Sequence, residues 1–113
     1  MRTFNTGANR DSDEGKLDYE AYLSPIVLQR FAEYMLKNAT LPDGSVRSGD
    51  NWQKGFGDDH LDVCMKSLMR HLMDMWLFHR GFKGRDSMDE AIYGALFNLM
   101  AYAHWRETHD QDI

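Results

Sequence analysis

A chain of 113 residues, 42 % of them aliphatic or aromatic, is long enough for one core and too apolar to remain disordered. A formal charge of -5 and a pI near 5.4 exclude a general binder of long nucleic acid, and a lone cysteine, Cys64, excludes a disulfide framework or cysteine zinc site within the chain. No leader-like opening and no window of the ~18 apolar residues that span a bilayer occurs, so a cytoplasmic protein without a membrane partner is expected.

Residues 1–23 hold Gly, Asn, Asp and Ser without an apolar period and read as an arm, its far end at Tyr19, Tyr22 and Leu23 expected to dock on the body. Ser24 can cap and Pro25 suits a first helical position, so the first helix is predicted over 25–38, with Ile26, Val27, Leu28, Phe31, Met35 and Leu36 at helical spacings. The Gly- and Asp-rich segment ATLPDGSVRSGDNWQKGFGDD is a long connection, and loops of this length in a small domain are often functional. A second helix is predicted from Asp59 to Phe78 and is apolar over more than one stripe, with Asp62, Lys66, Arg70 and Asp74 as its one polar row. Ser87 and Glu90 form an S-x-x-E capping box for a third helix running to about Arg106, and residues 107–113 form a polar tail expected to fray.

No strand pattern or repeat competes, so the expectation is a single all-α domain over 1–113, with a helical core at 24–106. Three helices make a small bundle in which the second is too apolar to be covered by two neighbours. Completion of the bundle by a homo-oligomer, a dimer or tetramer, resolves this; the arm and loop are the alternative cover.

The polar residues on this scaffold allow two readings each. His71 and Asp74 lie three apart beside Arg70, a spacing that can present a carboxylate to Mg²⁺ or let Asp74 pair with Arg70 while His71 sits satisfied in an interface. Glu90 can act beyond its cap; Glu33 can be merely solvated; Asn98, deep in the third helix, needs partners if buried. In the loop, Trp52 can stack on a base, Asn51 read its edge and Lys54 meet a phosphate, or Trp52 can pin the loop to the core. Arg10 and Lys16 in the arm can close over an anion or remain solvated. There is no P-loop, GxGxxG, HExxH or nucleophile elbow.

The segments GANRDSDEGKLDYE, SPIVLQRFAEYM, DNWQKGF, MKSLMRHLMDMW with its HRG, and DEAIYGALFNLMAY resemble, in order and over roughly residues 5–104, the N-terminal domain of the phage and prophage dATP/dGTP diphosphohydrolase family, relatives of the MazG-like all-α nucleotide pyrophosphatases. The resemblance implies a Mg²⁺-dependent hydrolase that cleaves a purine deoxynucleoside triphosphate to monophosphate and pyrophosphate, a homo-oligomer working in a bacterial host. It implies Asp74, Glu90 and Glu33 as metal ligands, with His71 catalytic beside Asp74 and Glu90. Arg10, Lys16, Asn51, Trp52, Lys54, Arg70 and Asn98 would be the substrate-binding residues. The chain departs from the MazG-like pattern in having H-x-x-D at 71–74 and no E-x-x-E, which leaves open a non-catalytic nucleotide-binding or oligomeric interaction protein on the same bundle.

Overall fold

A computed structural model describes residues 2–109, so the last four positions of the predicted tail lie outside the described residues. In chain order these hold two short strands, β1 (Arg2–Thr3) and β2 (Asn9–Arg10), a one-turn helix α1 (Tyr19–Tyr22), and three long helices, α2 (Pro25–Ala39), α3 (His60–His79) and α4 (Met88–Thr108). Two 3-10 turns, Asn51–Lys54 and Gly57–Asp59, lead into α3. The fold is thus all-α apart from the hairpin. No described helix is long and apolar enough to cross a membrane.

The helix starts follow their caps. Ser24 Oγ accepts from the Val27 amide with Pro25 in the first turn, and Ser87 Oγ accepts from the Glu90 amide at 3.1 Å. The hairpin corrects the expectation of no strand: Arg2 pairs with Arg10 and Thr3 with Asn9, with Gly7 in the connecting turn at φ 86°. Strands of two residues are too short to write a period into the sequence. The arm's far end does not dock: α1 packs on no other element, and Tyr19, Tyr22 and Leu23 are exposed. The third long helix ends within two residues of the expected place, at Thr108.

The core is a pairing of α3 with α4. Along α4 the buried residues are Ala91, Gly94, Ala95, Asn98 and Ala101, one stripe of small side chains that lets α3 come close with Cys64 and Leu68. At Gly94 the two helices meet closely, because a Cβ there would stand 2.5 Å from Cε1 of His71. A glycine inside a helix costs about 1 kcal/mol against alanine, and here that cost makes room for an imidazole.

α2 is held differently. Its backbone runs close to that of α4 and not to that of α3. Phe31, its one buried residue, stacks with Tyr93 of α4 at 6.4 Å between ring centroids, Tyr34 lies at the same distance from Tyr93, and Lys37 Nζ reaches Glu90 Oε1 at 2.6 Å. The molecule is consequently open, with a radius of gyration of 19.1 Å against about 13 Å for a compact domain of this length.

Candidate functional site

The long connection is shaped by two devices. Leu41, Pro42, Asp43 and Gly44 make a turn in which the Gly44 amide donates to Leu41 O and Asp43 Oδ1 accepts from the Ser45 amide, at 2.9 Å each. The chain thereby folds back, Val46 bridges Thr40, and Arg47 Nη1 donates to Asn38 O at the end of α2. The second device is His60 at the start of α3. Only 2 % exposed, its ring stacks between Phe56 and Trp105, its Nδ1 accepts from the Phe56 amide at 3.1 Å, and its Nε2 lies 3.0 Å from Ala101 O. Since Nδ1 accepts, the proton sits on Nε2 and is donated to that carbonyl. Gly55 faces the same ring system at φ 75°, where a side chain would run into Trp105.

These devices close one side of a groove of about 1180 Å³ whose other walls are α2, α3 and α4. Six of the residues singled out from the sequence line it: Asn51, Trp52, Lys54, Arg70, His71 and Asn98. Arg47 joins Lys54 and Arg70 as a third cation, and no Asp or Glu is among the lining residues. Neither Lys54 nor Arg70 has an ion-pair partner among the described residues. Tyr34, Val63, Phe97 and Met100 add apolar wall.

Each polar residue here has a defined setting. Trp52 sets its ring against His104 at 4.9 Å and 64°, so it anchors the loop on α4 while lining the groove. Asn98, 4 % exposed, donates from Nδ2 to Ser67 Oγ at 3.1 Å and to Gly94 O at 2.8 Å; no described group donates to its Oδ1. His71 titrates below the ordinary histidine range, first because it is partly buried, then because of the Arg85 and Arg70 charges, with Asp74 opposing. At neutral pH its imidazole is therefore uncharged, and the groove's positive charge comes from Arg47, Lys54 and Arg70.

The structure separates the other candidates from this groove. Asp74, 7 % exposed, turns to the loop after α3: its Oδ2 accepts from Arg85 Nε and lies 2.7 Å from Nη2, and its Oδ1 accepts from the Arg85 amide. The Asp74–Arg70 pair does not form; Asp74 is buried where residues 84–85 return along α3 and pairs there with Arg85. Glu90 pairs with Lys37, and exposed Glu33 pairs with Arg30 at 3.1 Å. Among the described residues no three His, Cys, Asp or Glu side chains gather as metal ligands. Asp74, Glu90 and Glu33 stand in three separate ion pairs, so within the described residues of one chain they are not gathered at one point as a shared Mg²⁺ site would need. Arg10 stands in the hairpin and Lys16 in the exposed loop before α1, and neither lines the groove.

Burial raises the Asp74 carboxyl, but the hydrogen bonds and charge of Arg85 outweigh it and hold the group below the usual carboxylate range. A depressed folded-state value contributes stability that is present above the unfolded value of about 3.9 and lost as pH falls through the folded one. Thermal melts between neutral pH and pH 2 should show wild type losing stability in this acid window, and Asp74→Asn, less stable at pH 7, losing less of what remains.

Sequence reasoning missed Arg47 and His60. Leu-Pro-Asp-Gly is a turn signal that would have carried Arg47 back to the end of α2; His60 had no signal beyond its place at a helix start. Compared with known proteins, the chain matches no protein-family model, no curated protein and no solved structure.

Proposed function

We propose that the groove binds a nucleotide, with the base against Trp52 and the phosphates on Arg47, Lys54 and Arg70. A single observation carries this reading: one concave surface collects three cations, an indole and three amides, and no carboxylate among its lining residues repels an anion from it. Aromatic faces stack on any base, and guanidinium groups match phosphate oxygens in pairs. Asn51 would meet a base edge or a sugar, Asn98 would offer its Oδ1, and neutral His71 would add a hydrogen bond without charge. The volume exceeds the ~300–1,000 Å³ of typical small-molecule clefts, which leaves room for a nucleoside triphosphate and water. Among nucleotides, the resemblance favours dATP or dGTP and a phage or prophage setting.

Hydrolysis between the α and β phosphates needs groups that this groove does not supply. Mg²⁺ would have to be held by carboxylates, and those in question are committed to Arg85, Lys37 and Arg30. The reading is therefore a nucleotide-binding protein, with no hydrolytic step assigned to its residues.

Thermal melts with dATP, dGTP and inorganic triphosphate, each with and without Mg²⁺, test it. A ligand present at a hundredfold excess over its Kd should stabilise the protein by about 2.7 kcal/mol, and a purine nucleotide should stabilise more than triphosphate alone. No stabilisation by any nucleotide would overturn the reading. Release of pyrophosphate that requires Mg²⁺ would extend it to the hydrolase that the resemblance implies.

A further inference from the structure

The side of α3 turned away from α4 carries Met65, Met69, Leu72, Met73 and Trp76, all exposed, Met69 by 58 % and Trp76 by 55 %. At 100° per residue they fall in one stripe of about 100°. Met65, Met69, Leu72 and Trp76 are spaced four, three and four apart, the alternation of a helix that packs along another helix. Val63, Ser67, Arg70 and His71, which line the groove, project from the other side of α3.

The area left open has the size of an interface. The accessible surface is 9064 Å², whereas a folded monomer of this mass shows roughly 6,400 Å². The excess includes the exposed arm, but half of it from each of two chains falls within the ~2,000–5,000 Å² of obligate dimers. We propose that a second copy of this chain covers the stripe on α3, in an antiparallel pair related by a two-fold axis between Met69 and Leu72.

The sequence of α3 is self-complementary in that orientation. Met65 of each copy then faces Trp76 of the other, and Met69 faces Leu72, so these four positions meet apolar partners, with Met73 at the edge of the seam. At the ends, Asp62 of one chain comes beside His79 and Arg80 of the other, an acid against basic groups, and the helix dipoles oppose. A parallel pairing would set Asp62 against Asp62 and Lys66 against Lys66. A hollow of about 220 Å³ lined by Met73, Trp76, Leu77, Arg80 and Phe82 lies where the other chain's Met65 arrives, a hole for that knob. Methionine is suited to such a seam because its unbranched side chain adapts to the surface it meets.

Sedimentation equilibrium or mass photometry across micromolar concentrations tests the pairing. Wild type should have twice the 13.2 kDa chain mass, or an even multiple of it. The double variant Met69→Glu/Leu72→Glu should halve the assembly with helical circular dichroism retained, because the face is exposed within one chain. Met69→Glu/Leu72→Lys should remain paired, since only the antiparallel orientation sets each introduced carboxylate opposite an introduced ammonium. A monomeric wild type, a pairing untouched by the two glutamates, or loss of pairing in the Glu/Lys variant overturns the proposal. If the Glu/Glu variant unfolds, the wild-type mass and the Glu/Lys variant still decide it. Nucleotide binding is independent of every outcome.

Discussion

Replacing His60 by alanine is expected to cost the fold about 3 kcal/mol or more, because a fully buried ring, two hydrogen bonds and two aromatic stacks disappear together. The loss would not be spread evenly. The pairing of α3 with α4 below His60 rests on Cys64, Leu68 and the small stripe of α4, which the substitution leaves in place. The segment from Asn51 to Asp59 has no comparable attachment among the described residues besides Trp52 on His104, and the Phe56 amide loses its partner, while the Ala101 carbonyl keeps only its place in the α4 ladder. Hydrogen exchange should then show the amides of 51–60 opening first, while those of mid-α3 and mid-α4 keep most of their protection. Nucleotide affinity should fall with them, since Trp52 and Lys54 ride on that segment. His60→Gln, which can keep one of the two hydrogen bonds but not the stacking, should fall between. Uniform loss of protection along the chain would show that His60 supports the whole core rather than the loop.

The second large effect belongs to Arg70. It lines the groove from α3 and is exposed, with no ion-pair partner among the described residues, so its removal leaves no orphaned charge in the protein. A guanidinium bonded to a phosphate contributes about 1.5–3 kcal/mol, which corresponds to a rise in Kd of roughly 10- to 150-fold. Arg70→Gln should therefore bind dATP or dGTP at least tenfold more weakly with an unchanged melting temperature in the absence of ligand. Its binding should also depend less on salt, because screening acts on the charge that has been removed. Arg80→Gln, at the far end of α3, serves as the control and should bind as wild type does. Equal affinity of Arg70→Gln and wild type in titration calorimetry would remove Arg70 from the site.

Much of the scaffold was legible because its signals are local. Ser24-Pro25 and Ser87 mark two helix starts with side chains that act within one turn, and both serine caps form, although Glu90 turns its carboxylate to Lys37 instead of closing the capping box. The apolar periods of the long helices set their lengths to within two residues. The groove was half legible: Asn51, Trp52 and Lys54 stood out as a chemically loaded stretch of loop, Arg70, His71 and Asn98 as polar residues on greasy helices. Their convergence depends on where the loop folds, which neither spacing nor composition encodes.

The partner of Asp74 shows the limit most clearly. A helix offers Asp74 an arginine at Arg70, four residues back, and any local rule selects it. The chosen partner is Arg85, eleven residues on, reached only because the chain after α3 turns at Arg80 and Gly81 and brings residues 84–85 back along the helix, with Gly84 against Phe78 and the Asp74 carbonyl. His71 and Gly94 repeat the lesson, since an imidazole and a missing side chain are complementary only when two helices have already met. Of the carboxylates that the resemblance would set around Mg²⁺, only Glu33 has a cation that a local rule finds, Arg30 on the same helix, whereas Glu90 and Asp74 meet Lys37 and Arg85 from other parts of the chain.

The attachment of α2 bears on how any ligand would be held. With one aromatic seam and one ion pair to α4 and no backbone close to α3, this helix is a jaw fixed along a single line, and Arg47, tied to its end through Asn38 O, faces the groove across from Arg70. A molecule that reached both guanidinium groups would act as a strut, supplying the tie between α2 and α3 that the polypeptide lacks. Its apparent affinity would then contain the fraction of time the jaw stands at the right width, so packing at Phe31, Tyr34 and Tyr93 would tune binding from a place the ligand never touches.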